Sequence, residues 1–175
     1  MAVLFLVVGL PGAGKTTRAR ELAATHRALR LTPDTWMIPL FGGSDAGGKR
    51  DVLEGRLVAT ALDALRVGTS VVLDFGFWGR DERAALHWLA RSLGARCETV
   101  YLPVDRETQR QRIRRRWEQT PHETYPISDD ELDRWRARFE PPDEAELAGD
   151  LAEQPPPPWS SWPGWAAVRW PTSLD

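Results

Sequence analysis

Residues 9 to 16 read Gly-Leu-Pro-Gly-Ala-Gly-Lys-Thr, a G-x-x-x-x-G-K-[ST] pattern. The apolar run Val3-Leu4-Phe5-Leu6-Val7-Val8 precedes it, and a helical pattern follows from Lys15. Strand, glycine-rich turn and helix in that order make the pattern a phosphate-binding loop. Gly9, Gly12 and Gly14 let the backbone bend, so that successive N–H groups turn inward as an anion nest. Lys15 adds a point charge for β- and γ-phosphates. Thr16 offers a hydroxyl to Mg²⁺, and the helix aims its positive end at the phosphates. The expected nucleotide contacts are Gly9, Pro11, Gly12, Ala13, Gly14, Lys15, Thr16 and Thr17. The expected ligand is ATP or GTP, with Mg²⁺.

Working outward, strands and helices alternate. Strands are predicted over residues 2–8, 28–31, 70–74 and 96–102. Helices are predicted over residues 15–26, 50–66, 80–93, 105–117 and 129–139, from apolar spacing. Ser128 and Glu131 form the expected capping box of the last helix. Pro39 to Gly48 is glycine-rich and reads as a surface loop. Such alternation implies a parallel sheet covered on both faces, with ligands collecting at the carboxyl ends of its strands. The loop after the first strand, Asp34 after the second and Asp74 after the third all belong to that edge.

At 175 residues the chain fits one domain with a real core. A net charge of −2 gives no global electrostatic case for nucleic acid. The single cysteine, Cys97, excludes an internal disulfide and reads as a buried or half-buried thiol in a strand. The N-terminal apolar run is too short to span a membrane and lacks the basic start of a signal peptide. The expected compartment is therefore the cytoplasm, with no membrane partner. Residues 1–150 are expected to form the main domain, with an arginine-rich lid at about 105–127. Residues 151–175 form a tail with a polyproline stretch, Pro155 to Pro158, and Trp159, Trp162, Trp165 and Trp170. Packing of the tail onto the domain is favoured over a free partner-binding segment, because exposed tryptophan harms solubility. Ala167 to Trp170 reads as a candidate fifth strand.

Phosphate loops of this kind take a carboxylate from a neighbouring strand end to complete the metal site, and Asp74 is the candidate beside Thr16. Its bland role is to cap the turn before Gly76. Asp34, in Leu31-Thr32-Pro33-Asp34-Thr35-Trp36, stands where a group could orient an acceptor hydroxyl or take its proton. Its bland role is to cap the next helix. Arg106, Arg110, Arg112, Arg114, Arg115 and Arg116 crowd one helix, and most read as a solvated face. One or two of them can close over the transferring phosphoryl group. His26, His87 and His122 have no metal-ligand spacing, and His87 beside Trp88 reads as a packing residue.

The combination resembles small P-loop kinases of the group that contains polynucleotide 5′-kinase, chloramphenicol phosphotransferase-like proteins and bacterial ATP-binding kinases. The resemblance rests on the phosphate loop through Thr17, Thr32-Pro33-Asp34, residues 71–78 with Arg80 to Arg83, Val104-Asp105-Arg106-Glu107, and residues 139–144. It covers residues 1 to about 147. It implies an α/β fold: a P-loop NTPase three-layer sandwich, a parallel sheet flanked by helices with a small helical lid. It also implies that Asp34 is the catalytic base and that the lid arginine is Arg116, with Arg112 as its neighbour. Polynucleotide kinases carry a basic residue soon after that aspartate; here Thr35, Trp36, Met37 and Ile38 follow. That departure points to a more apolar acceptor. The expected activity is transfer of the γ-phosphate to a hydroxyl of a small molecule, such as an antibiotic, a nucleoside or a sugar. Polynucleotide 5′-hydroxyl transfer and a nucleotide-binding switch or partner-binding module rank below it.

Overall fold

Alternation along the first strand, β1 (Val3–Val8), divides the core in two. Phe5 and Val7 face one way and pack with Ala19 and Leu22 of α1 (Lys15–His26). Leu4, Leu6 and Val8 face the other way, into the larger core. That core takes Leu57 and Val58 from α3 (Lys49–Arg66) and Leu86 and Leu89 from α4 (Arg80–Ser92). The sheet is completed by β2 (Leu29–Leu31), β3 (Val71–Gly76) and β4 (Arg96–Tyr101). Its order is β2-β3-β1-β4 and the neighbouring strands are parallel. The computed structural model describes residues 1–43, 47–120 and 127–174. It is an α/β fold with helices on both faces of a parallel sheet, as the sequence predicts. No helix among the described residues is long and apolar enough to cross a membrane.

The segment after β2 departs from expectation. Pro39 does not open a loop, because α2 (Asp34–Phe41) runs through it. The backbone N–H groups of Trp36 and Met37 both donate to Pro33 O, which sets the first turn. Met37 is fully buried and anchors the helix, so burial outweighs the proline penalty. Gly42, at φ 70°, ends it. Asp34 is thus the first helical residue rather than the cap, which is Pro33. Residues 44–46 of the expected loop lie outside the described residues, as does His122.

After β4 come α5 (Arg106–Gln119), α6 (Asp129–Arg138) and the short α7 (Glu144–Leu147), ahead of the C-terminal segment. The Ser128–Glu131 capping box is present at the start of α6. Of the expected lid at about 105–127, α5 is seen and residues 121–126 lie outside the described residues. Residues 139–146 clamp onto the turn after β3. Glu140 N donates to Trp78 O, and Arg80 N donates to Glu140 Oε2. Arg83, fully buried, makes a two-pronged ion pair with buried Glu146 and donates from Nη1 to Phe77 O at 2.9 Å.

The expected fifth strand at Ala167–Trp170 is instead the end of a helix, α8 (Trp162–Arg169). Ser161 caps it by accepting from Gly164 N, and Pro163 occupies its first turn. Trp162, Ala166 and Trp170 recur every four residues and are buried, so the helical period wins over local strand propensity. Both tryptophans lie in the same core as Leu4 and Leu6. The backbone after α8 lies directly on α3: a Cβ at Gly55 would sit 1.9 Å from Pro171 O.

Candidate active site

The phosphate loop hangs from the carboxyl end of β1. No side chain caps the N-terminus of α1, which leaves its first amides open to an anion. Gly14 takes the left-handed conformation there, at φ 93°. Thr16 and Thr17 are exposed in the first turn. Lys15 folds back instead of standing in solvent, its Nζ donating to Leu10 O at 3.1 Å. Burial lowers its pKa, opposed by the carboxylates of Asp74 and Asp34 and assisted by Arg50 and Arg116. Four charged groups from four other parts of the chain therefore bear on one ammonium.

Asp74 reaches this place through an irregularity in β3. Leu6 pairs with Leu73 but Val8 pairs with Gly76, so β3 carries one extra residue at Asp74–Phe75. Such a bulge re-aims side chains at a site. The Asp74 side chain is almost wholly buried. Its Oδ2 lies 3.4 Å from Arg30 Nη1, and the Thr16 side chain is near enough to favour its charged form. Burial raises its pKa, with Lys15 and Arg30 working against the rise. The turn beyond is held tightly: Gly9 N donates to Gly76 O, and Phe77 adopts φ 40°, which is rare for a residue with a side chain.

Asp34, exposed at the start of α2, is gripped from α3. Arg50 Nη1 lies 3.0 Å from Asp34 Oδ1, while Arg50 Nε bonds Glu54 Oε1 at 2.9 Å. The basic group absent from the residues after Asp34 is thus supplied sixteen residues on. Sequence reasoning missed Arg50, and its i,i+4 spacing to Glu54 was the available signal.

Helix α5 braces the other side of the loop. Arg112 Nη1 donates to Gly12 O at 3.1 Å. Gln109, fully buried, donates from Nε2 to Pro11 O at 3.0 Å. Its Oε1 accepts from Arg136 Nε at 2.7 Å, and Arg136 Nη2 holds Val104 O. Gly12 is demanded here: at φ 83°, a Cβ on it would lie 3.3 Å from Gln109 O. Gln109 and Arg136 also escaped the sequence reading. Two arginines of the run are answered by α6, where Arg106 pairs with Asp133 and Arg110 with Asp129. Arg116 is exposed, yet near enough to Lys15 to lower its pKa. A cavity of about 170 Å³ opens beside the loop, lined by Leu10, Tyr101, Leu102, Val104, Arg136, Phe139 and Pro141.

The structure therefore brings Lys15, Thr16, Asp34 and Asp74 to one sheet edge, with Arg112 and Arg116 along its rim. Among the described residues, no group of three or more histidines, cysteines and carboxylates gathers as a self-sufficient metal cage.

Solved structures with this fold include Kti12 from Chaetomium thermophilum in complex with ADP-AlF3. It is 24% identical with a TM-score of 0.63, over 80% of this chain and 81% of that one. A candidate kinase from Chloroflexus aurantiacus is 20% identical with a TM-score of 0.62, over 99% of both chains. A gluconokinase from Sinorhizobium meliloti is 16% identical with a TM-score of 0.56, over 83% of this chain and 78% of that one. At these identities the likeness establishes the fold, that of P-loop kinases. No curated protein sequence matches the chain. A family profile described as AAA domain matches residues 4–142, which hold the phosphate loop and both carboxylates, and the chain belongs to that family.

Proposed function

We propose that the protein is an ATP-dependent O-phosphotransferase that moves the γ-phosphate to a hydroxyl of a small molecule, of antibiotic, nucleoside or sugar type. The observation that carries this reading is the convergence of Asp34 and Asp74 on Lys15, close enough that both carboxylates act on its charge. A loop that only held nucleotide has use for one carboxylate beside Thr16. The second, Asp34, sits on the exposed side, where an acceptor can approach. Trp36, nearly half exposed two residues on, offers such an acceptor a flat apolar surface.

In this reading the loop amides and Lys15 bind the phosphates, and Lys15 exchanges Leu10 O for a phosphate oxygen. Thr16 and Asp74 fit Mg²⁺: a hydroxyl and a buried carboxylate close to one another are hard oxygen donors, which leave the remaining positions to water and phosphate. Bound there, the ion neutralises charge on the phosphate oxygens. Arg50 holds Oδ1 of Asp34, and Oδ2 orients the acceptor hydroxyl and takes its proton. The acceptor oxygen then bonds to the γ-phosphorus as the bridging P–O bond to ADP breaks. Arg112 braces Gly12, so Arg116 is the arginine assigned to the transferring group. A polynucleotide 5′-hydroxyl is the second reading, favoured by the guanidinium of Arg50 beside Asp34.

The test is a screen for ADP and phosphorylated product across hydroxyl-bearing metabolites and antibiotics, with an oligonucleotide included. Lys15→Ala should lose nucleotide binding and transfer together. Asp34→Asn should keep ATP affinity and lose transfer by roughly 10²- to 10⁴-fold, the usual contribution of a general base. Equal product rates in Asp34→Asn and wild type would remove Asp34 from the chemistry.

A further inference from the structure

The C-terminal helix lies outside the matched family region, yet its last residue joins the network that ends at Asp34. Arg169 Nη1 lies 2.8 Å from Asp51 Oδ1 on α3. Its Nε and Nη2 lie 2.7 and 2.6 Å from Glu82 Oε1 on α4. Its Nη2 also lies 3.5 Å from Glu54 Oε2. The opposite oxygen of Glu54 takes Arg50 Nε, and Arg50 Nη1 takes Asp34 Oδ1. From these contacts we infer that Arg169 is a positioning residue for Asp34, acting through Glu54 and Arg50. The inference rests on the reading of Asp34 as the group that handles the acceptor.

A tail helix that needed only a mechanical tie to α3 and α4 would be served by Asp51 and Glu82, which lie at the surface or near it. Glu54 is different. It is buried, 5% exposed, and lies between two guanidiniums. Burial raises its pKa; Arg50 and then Arg169 oppose this, while Glu82 adds to it. Without Arg169, Glu54 keeps one guanidinium and the neighbouring negative charge of Glu82. A buried carboxyl so placed favours its neutral form. A neutral Glu54 holds Arg50 less firmly than a carboxylate does. Arg50 is the group that fixes one oxygen of Asp34, whose charge also bears on Lys15 and Asp74. The tail thus reaches the acceptor side of the site, where Arg50 holds Asp34.

The experiment uses the full chain. In ¹⁵N-arginine-labelled protein without nucleotide, hydrogen exchange of the Arg50 Nε–H is measured in wild type, Arg169→Ala, Arg169→Lys and Glu54→Gln. Arg169→Ala and Glu54→Gln should each speed it by about tenfold, the consequence of weakening one charge-assisted bond. Arg169→Lys, which keeps the charge but not the three-way fork, should fall between and serves if the alanine variant does not fold. An Arg50 signal unmoved by either Arg169 substitution overturns the inference. With MgATP and an acceptor from the screen, Arg169→Ala should lower kcat by up to about 100-fold, with KM for ATP unchanged. It should cost nothing further on the Asp34→Asn background. Losses that simply multiply in the double variant also overturn it. A wild type with no transfer to any acceptor rejects the kinase reading instead, while Arg50 exchange still decides whether the tail holds that side chain.

Discussion

Asp74 has two possible occupations, and the structure makes them distinguishable. As a turn cap it needs only a nearby amide, which asparagine can also satisfy. As a metal ligand beside Thr16 it needs its negative charge. Asp74→Asn should therefore keep the fold and raise the Mg²⁺ concentration needed for half-maximal activity, read from a titration at fixed ATP. An unshifted titration would leave Asp74 as a cap. Because burial raises its pKa, the carboxylate form is lost earlier on acidification than for an exposed aspartate. The Mg²⁺ requirement of the wild type should rise as pH falls through that range. Both carboxylates were legible at this scale, since a strand end is a local property. Their electrostatic setting was not: Arg30 reaches Asp74 across 44 residues, and Arg50 reaches Asp34 from another helix.

At the scale of elements, α5 is less a lid of arginines than a brace. Its buried Gln109 links Pro11 O of the loop to Arg136 of α6. Gln109→Ala would strand a carbonyl and a guanidinium N–H, at about 1–3 kcal/mol of stability. The check is a pair of measurements, thermal unfolding and nucleotide affinity, and both should fall. Unchanged nucleotide affinity would show that the loop holds its shape alone. Across the sheet, α4 presents buried His87 to β4, with Nε2 2.9 Å from Thr99 Oγ1. Burial, then Arg91 and Arg83, pushes its pKa down to about 4 from 6.5. The unfolded chain binds the proton first on acidification, so the neutral folded form gives stability present above pH 6.5. That stability is lost as pH falls toward 4. The loss is about 3 kcal/mol by linkage. Denaturation curves across this window should flatten in His87→Gln relative to wild type; parallel curves would refute the shift.

The whole molecule is closed by its tail. Trp162 and Trp170 share a core with β1, and the chain after α8 presses on α3 at Gly55. In an isolated helix Gly→Ala gains about 0.5–1 kcal/mol. Here the new Cβ would meet Pro171 O at 1.9 Å, so the tail must move. Gly55→Ala should therefore lower stability, by about 1–3 kcal/mol as for other overpacked sites. The sign alone decides: a raised melting temperature would mean that the tail does not sit on α3. A second closure comes from Arg83 and Glu146, buried together, which tie α7 to the strained turn at Phe77. That pair explains physically why residues 139–146 accompany the turn after β3.

What the chain order by itself determined is everything that depends on near neighbours. The strand, loop and helix around Lys15 follow from an apolar run, three glycines and a helical period. Asp34 and Asp74 come to the same edge because parallel strands put their carboxyl ends together. Local rules failed where distant burial overrode them. Met37 carries α2 through Pro39, and Trp162, Ala166 and Trp170 turn a strand-like tail into a helix. Only the tertiary structure decided which side chains complete the site. Gln109 meets Pro11 across 98 residues, and Arg169 meets Glu82 across 87. Such contacts are chosen by how helices pack on the sheet, and a guanidinium or amide four bonds from its backbone carries no trace of that choice in its own neighbours.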